Sequence, residues 1–390
     1  VKTGFRRLVC LFIVSGLLLI PTQAFAQPDL PFEITAKAAI LVDYETNTIL
    51  FEKSSNEKLP IASVTKIMTI LLALESIEAG ELKLDDIVEV SKTAASVKGS
   101  TAFLSPGEQF PVSTLLEAII VASANDASVA IAEKISGSQE LFVKKMNEKA
   151  HSLGMNNSNF MNCTGLPEEN HYSSAQDVVI MSRELLKYPL FFKWSTIWLD
   201  YMRDGETMLN NTNKLIRFYD GCDGVKTGYT TEALHCISAT AKRDNLRLIS
   251  VILGAPDSKA RFREASKLMD YGFANYESVP IIKKGQVIKQ AKDIPVTDGK
   301  FTIISGIASN DLSVLLQKGS PKDFNFSSEI DIPLKAPIKE GQKIGYLKVE
   351  LNGHQIGNVD ILADRSIESA NILDYFDKIL NRWLKPQHSE

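Results

Sequence analysis

Pro60-Ile61-Ala62-Ser63-Val64-Thr65-Lys66-Ile67-Met68-Thr69-Ile70-Leu71-Leu72 sets a serine and a lysine three residues apart at the entry to an apolar run. Helical i, i+3 spacing puts both side chains on one face. Ile67, Met68, Leu71, Leu72 and Leu74 make too broad an apolar load for a surface helix, so the run is predicted to be a central, buried helix that stops at Gly80. Two further short boxes follow in order, Ser123-Ala124-Asn125 and Lys226-Thr227-Gly228. Each box alone is weak, because Ser55-Asn56-Glu57-Lys58, Ser369-Ala370-Asn371 and Lys2-Thr3-Gly4 fit the same patterns. Order and context separate them: Ser63 opens a helix after Pro60, whereas Ser55 sits in a polar turn.

Around the first box the chain reads as two strands, Lys37 to Val42 and Thr48 to Lys53, joined by a turn at Tyr44-Glu45-Thr46-Asn47. Helical patterns follow at Val112 to Ile135, Gln139 to Leu153 and Ser174 to Leu186, the last with Ser173 or Ser174 as N-cap. Cys236 to Ala241 and Leu246 to Leu253 form a predicted hairpin, and Arg261 to Tyr276 a closing helix. This order predicts an α/β (α+β) sandwich whose first and last strands share one sheet. From Ser278 the texture changes to short alternating strands with Gly and Pro turns, such as Leu347-Lys348-Val349-Glu350-Leu351 before Asn352-Gly353. A second, small all-β domain is expected there.

Both ends carry their own signals. Lys2, Arg6 and Arg7 precede an apolar run from Leu8 to Ile20 and Ala24-Phe25-Ala26, the layout of a secretory signal cleaved before Gln27. An uncleaved anchor is the alternative. Removal of that stretch takes the formal charge from −4 to about −7, which argues against a nucleic-acid partner. In the tail from Ile367 to Leu384, residues Ile372, Leu373, Phe376, Ile379, Leu380, Trp383 and Leu384 fall on one helical face flanked by Lys378, Arg382 and Lys385. The stripe is expected to lie in a membrane interface, with packing on the β domain or at an oligomer seam as the alternative. The expected division is 1–26 signal, 27–277 catalytic domain, 278–366 small all-β domain and 367–390 amphipathic tail.

The boxes supply the parts of an active-serine acyl-transfer site. Ser63 is the nucleophile, and Lys66 its base once burial and the nearby charge of Lys226 disfavour a second ammonium. Ser123 relays a proton, and the Asn125 amide offers a donor and an acceptor to a peptide backbone. Gly228 lets the third strand approach a ligand, Thr227 binds a substrate carboxylate, and the Tyr229 amide joins that of Ser63 as an oxyanion donor. Arg261 is either a second carboxylate ligand or a surface helix arginine. His151, His171, His235, His354 and His388 form no metal-binding pattern, so neither metal nor cofactor is expected. Cys163, Cys222 and Cys236 are read as buried thiols, with a Cys222 to Cys236 bridge as the alternative.

With these motifs the chain resembles the low-molecular-mass penicillin-binding proteins, the serine-type D-alanyl-D-alanine carboxypeptidases of peptidase family S11. The resemblance extends to Leu104-Ser105-Pro106-Gly107-Glu108, Asn125-Asp126-Ala127, Gly154-Met155-Asn156, Gly165-Leu166, Gly254-Ala255 and Tyr271-Gly272-Phe273. It implies the penicillin-binding/β-lactamase-like fold, acylation of Ser63 by peptidoglycan stem peptides ending in D-Ala-D-Ala, and acylation of the same serine by β-lactams. The N-terminal signal and the amphipathic tail together predict an exported enzyme held peripherally at the outer face of the cytoplasmic membrane. Where many relatives carry Ala-Gly and an aromatic after the third box, this chain has Ala233-Leu234-His235. A class A-like β-lactamase would need a Glu-x-x-Leu-Asn segment, whereas the interval holds Leu166-Pro167-Glu168-Glu169-Asn170. A non-catalytic wall-binding protein would have no use for Ser63, Lys66, Ser123 and Lys226 together.

Overall fold

The computed structural model describes residues 31–384. The signal expected at 1–26 and Lys385 lie outside the described residues, as do the side chains of Lys378, Arg382, Trp383 and Leu384. The chain begins with β1 (Ala38–Asp43) and β2 (Ile49–Lys53), then passes into α1 (Lys66–Glu78). The region predicted as one helix from Val112 to Ile135 is two, α2 (Val112–Ala122) and α3 (Asn125–Ser136). Ser123 breaks it, with φ 62 in the left-handed region, and Ala124 turns the chain back to an extended conformation. Helical periodicity carries through such a break because both pieces bury apolar faces in the same core.

α4 (Gln139–Ser152) and α5 (Ala175–Leu185) follow, and Ser174 is the N-cap, accepting from the Asp177 amide at 3.1 Å. The chain then returns through β3 (Cys222–Thr230), β4 (Leu234–Arg243) and β5 (Leu246–Ala255) and closes with α6 (Ser258–Asn275). The strands form one antiparallel sheet in the order β2-β1-β5-β4-β3. First and last strands therefore share a sheet, as the element order predicts, and β3 is left on its edge.

The sheet is buried on both faces, which explains the near-continuous apolar runs of β1 and β5. Ala38, Ile40 and Val42 face the core shared with α1, while Ala39 and Leu41 face Leu268, Met269 and Phe273 of α6. Each such aliphatic side chain contributes about 1.5–3 kcal/mol by leaving water. From Lys66 to Leu74 every residue of α1 is buried, so this helix is the axis of the larger core. A short hairpin at Leu199–Met202 and Thr207–Asn210, which the sequence patterns do not reveal, crosses the outside of α2.

The second unit is all β, with its own core around Ile288, Ile304, Val349 and Ile361. β6 (Tyr276–Ile282) leads into it, followed by β7 (Gly306–Ala308), β8 (Leu312–Gln317), β9 (Phe324–Ile330), β10 (Lys343–Leu351) and β11 (His354–Ala363). β10 and β11 are joined at Asn352-Gly353, whose φ values of 52 and 77 suit the predicted two-residue turn. Ile367 is not part of the tail helix. It is buried and bridges to Ile338, and the Ala370 amide bonds to Asp298 O, so the chain stays tied to the β unit until α7 (Ile372–Leu384) begins.

Ahead of β1 the chain is pinned by one buried carboxylate. Glu264 of α6 accepts from the amides of Thr35 and Ala36, both at 3.1 Å, and from the Thr35 hydroxyl. Truncation would strand three donors at the edge of the core. Glu264→Ala is expected to destabilise the first unit by about 2–3 kcal/mol. Urea unfolding followed by tryptophan fluorescence checks this, and an unchanged midpoint would contradict it.

Candidate active site

Ser63 lies in a 3-10 turn, Ala62–Thr65, immediately ahead of α1, and its side chain caps nothing. The sequence reading made it the first helical residue. The tighter turn instead frees its hydroxyl and presents its amide. Two glycines make room for that turn. A Cβ on Gly165 would stand 1.9 Å from Ala62 O, and one on Gly228 would stand 2.8 Å from Ile61 O and 2.9 Å from Ser63 N. Gly228 is thus required for backbone approach, but the approaching group is the nucleophile turn itself.

Lys66 is fully buried, and its Nζ lies 3.0 Å from Ser63 Oγ, 2.6 Å from Asn125 Oδ1 and 2.7 Å from Thr164 O. The Asn125 amide is oriented by its Nδ2, which donates to Lys98 O at 2.6 Å, so its oxygen faces the lysine. Two of the three partners accept only. When Lys66 loses a proton its lone pair can face only Ser63 Oγ, so the neutral amine is aimed at that hydroxyl. Burial pushes its pKa down to about 7, against weaker opposing effects of Cys163 and Asp126. Desolvation, more than the neighbouring lysine, is therefore what prepares Lys66.

The second box owes its geometry to the α2–α3 break. The Asn125 amide donates to Ser100 O at 2.7 Å, and the Asp126 carboxylate accepts from the amides of Ala102 and Leu104, each at 3.0 Å. These bonds tie the 98–104 loop to the start of α3. Ser123, almost fully buried, sits where the helix ends.

On β3, Lys226 is buried and its Nζ donates to Thr227 O at 3.1 Å. Although β3 is an edge strand, Lys226 is not exposed on it. Burial, then the charges of Lys66 and Arg261, holds its pKa well below the usual lysine range. Thr227 Oγ1 donates to Thr212 Oγ1 at 2.8 Å, and the Thr212 amide donates to Val121 O at 3.2 Å. Thr212 thereby ties the third box to the end of α2, just ahead of the second box, and no sequence signal marks it. Arg261 is likewise no surface arginine: Nη1 donates to Gly228 O at 2.9 Å, while its buried Nε has no partner. Tyr229 is exposed and stacks on His235 with ring centroids 4.4 Å apart, so the departure at 233–235 falls on the rim.

Thr164, whose carbonyl holds Lys66, was not singled out by the sequence reading. Asn162 Oδ1 organises its loop, accepting from the amides of Thr164 and Gly165 at 3.2 and 2.7 Å. Asn162-Cys163-Thr164-Gly165 does carry an Asx-turn signal. Cys163, Cys222 and Cys236, the cysteines among the described residues, are free and buried. A Cys222 to Cys236 bridge is excluded by register: Cys222 pairs with Ala241 and Cys236 with Gly228, which puts them at opposite ends of the hairpin.

Because Gly165 touches the turn that carries Ser63 and has φ +82, Gly165→Ala is expected to displace the nucleophile. Acylation of Ser63 by a β-lactam should slow roughly 100-fold. Stopped-flow measurement of acylation checks this, and a wild-type rate would contradict it.

Residues 22–257 match the family model described as D-alanyl-D-alanine carboxypeptidase, and residues 276–369 match the C-terminal domain of penicillin-binding protein 5. The chain is 42% identical to the D-alanyl-D-alanine carboxypeptidase DacF of Bacillus subtilis, an alignment covering 97% of this chain and 99% of that protein. It superposes on penicillin-binding protein 5 of Haemophilus influenzae with a TM-score of 0.74 and 30% identity, covering 88% of this chain and all of that one. An ampicillin-bound penicillin-binding protein D2 of Listeria monocytogenes matches at 30% identity and TM-score 0.58, covering 63% of this chain and all of its own. The chain belongs to the S11 family of serine D-alanyl-D-alanine carboxypeptidases, the low-molecular-mass penicillin-binding proteins.

Proposed function

We propose that this carboxypeptidase trims the terminal D-alanine from peptidoglycan stem pentapeptides on the outer side of the cytoplasmic membrane, with Ser63 as nucleophile and Lys66 as base. The observation that carries the catalytic assignment is the buried Lys66 amine, 3.0 Å from Ser63 Oγ with its other two partners fixed as acceptors. Lys66 takes the Ser63 proton as Oγ attacks the carbonyl of the penultimate D-alanine. The amides of Ser63 and Tyr229 receive the oxyanion. The proton passes through Ser123 to the leaving amine, the C–N bond breaks, and D-alanine departs. Water then hydrolyses the ester and restores the serine. Asn125 holds the peptide backbone, and Lys226, Thr227 and Arg261 hold the terminal carboxylate, a role that suits the unpartnered Arg261 Nε.

A β-lactam acylates the same serine, but its leaving nitrogen stays tethered to the acyl group. The partners of Lys66 include no carboxylate to activate a deacylating water as a lactamase would. Its acyl-enzyme is therefore long-lived.

Two outcomes follow from this site. Ser63→Ala is expected to abolish both labelling by penicillin and D-alanine release, and intact mass with peptide mapping locates the adduct. An adduct on another serine would overturn the assignment. Acylation should also depend on pH. The reactive form is the neutral amine, so the acylation rate climbs about tenfold per pH unit below the Lys66 pKa and levels off above about 7. A flat profile through that range would contradict Lys66 as the base.

Retention at the membrane is assigned to α7. Ile372, Leu373, Phe376, Ile379 and Leu380 are all exposed on it, Ile372 by 87%. At about 1.5 Å per residue its 13 residues are too short to span a bilayer. The apolar stripe suits burial at the headgroup boundary, with Lys378, Arg382 and Lys385 in the flanking sequence favouring anionic lipid. Because the chain up to Ala370 is bonded to the β unit, truncation after Ala370 removes the helix alone. Mature full-length protein is expected to sediment with anionic lipid vesicles and the truncated protein to stay in the supernatant. Co-sedimentation of both, or of neither, would defeat this role.

A further inference from the structure

The backbone that orients Asn125 is not held by packing of its own. Lys98, Gly99 and Ser100 are exposed and belong to no helix or strand. Yet Lys98 O accepts from Asn125 Nδ2 at 2.6 Å, and Ser100 O accepts from the Asn125 amide at 2.7 Å. Between them Gly99 runs so close that a Cβ there would stand 2.8 Å from Asn125 Nδ2. The Asn125 side chain therefore keeps its oxygen toward Lys66 only while these carbonyls stay in place.

A side chain from a distant part of the chain grips the next few residues of this loop. Arg203 stands at the tip of the short hairpin that crosses α2, and its Nη1 and Nη2 donate to Ala102 O and Phe103 O, both at 3.0 Å. Its Nε and Nη2 also bond the Glu108 carboxylate as a bidentate pair, at 2.9 and 2.8 Å. Nη1 donates further to Thr207 Oγ1 at 2.8 Å, so every N–H of the guanidinium is used. The Arg203 fork holds the Glu108 carboxyl below the usual carboxylate range, and the pair stays ionised near neutral pH. Asp126 takes the amides of Ala102 and Leu104 while Arg203 takes the carbonyls of Ala102 and Phe103, so the two charges clamp one strip of backbone.

The hairpin is firm at its base, where buried Asn211 donates through Nδ2 to Ser195 O at 3.1 Å and Ile197 O at 2.7 Å. Its tip is strained. Arg203 and Asp204 have φ values of 53 and 51, a region that residues with side chains enter where surrounding contacts hold them. The bonds of Arg203 are such contacts.

We propose that Arg203, paired with Glu108, is a positioning residue for acylation: it braces the 98–104 loop so that Asn125 turns its oxygen, and not its NH2 group, toward Lys66. This role rests on the reading of Lys66 as the base. Without the brace Lys98 O shifts, the Asn125 amide is free to rotate, and its NH2 group can meet the lone pair of neutral Lys66. The amine is then no longer aimed at Ser63 alone.

The test is a double-mutant cycle in the full mature enzyme, reading the rate of Ser63 acylation by penicillin from intact mass, with the thermal midpoint of each variant beside it. Arg203→Ala is expected to slow acylation roughly tenfold to thirtyfold, within what a misplacement of about 1 Å produces. In an Asn125→Ala background no amide is left to orient, and the same substitution should change the rate by less than about twofold. A merely structural role would lower the midpoint and the rate alike in both backgrounds. Equal slowing with and without Asn125 therefore overturns the proposal, as does an Arg203→Ala enzyme with the parent rate. Glu108→Gln removes the ionised partner of the guanidinium and should slow acylation roughly threefold, again only where Asn125 is present. If Arg203→Ala does not fold, the Glu108→Gln cycle decides by the same criteria. A parent enzyme whose Ser63 is not acylated, or is acylated at a rate flat in pH, would sink the catalytic reading and the brace together, whereas a failed cycle in a parent that behaves as expected removes the brace alone.

Discussion

Lys66 is buried without a counter-ion in its bonding shell, and the site is arranged around that constraint. Its partners are the neutral oxygens of Ser63, Asn125 and Thr164. A carboxylate there would restore the ammonium and remove the base. An apolar shell alone would leave its N–H groups unsatisfied. A carbonyl and an amide oxygen resolve the conflict by accepting hydrogen bonds without adding formal charge. That solution requires three distant segments to converge, which is why α1 runs through the middle of the core instead of over its surface.

Legibility in the sequence followed the range of the interactions. Ser63 and Lys66 are three residues apart, so helical spacing alone places them together. The hairpin of β4 and β5 and the two-residue turn at Asn352-Gly353 are equally local, and their patterns read correctly. The break at Ser123 did not show, because a left-handed residue between two apolar helices leaves the hydrophobic period almost intact. Thr212 and Thr164 act through a hydroxyl and a carbonyl that tertiary packing brings to the site from other segments, and composition carries no trace of that. Arg261 was ambiguous for the same reason. Only the fold puts it beneath β3, where its Nη1 meets Gly228 O.

The glycines show how a local rule can be right for an incomplete reason. Gly228 in a strand signals close backbone approach, and the expected visitor was substrate. In the fold, the atoms that a side chain would strike belong to Ile61 and Ser63. The third box therefore shapes the first, quite apart from any contact it makes with a ligand. Gly165 presses on Ala62 from the opposite segment, so the nucleophile turn is clamped from two sides. Preorganisation here is steric, and it costs no hydrogen bond.

The electrostatics of the site also set its relation to substrate. The charges of Lys66 and Arg261 both act on buried Lys226, and the hydrogen-bond partners of all three are neutral oxygens. Concentrating cationic groups in a dry core without carboxylates works against stability. Such a pocket is incomplete until an anion enters. In the proposed mechanism a peptide ending in a free carboxylate supplies one, whereas an internal peptide bond does not, so the cost of burying these groups would become discrimination in favour of chain ends.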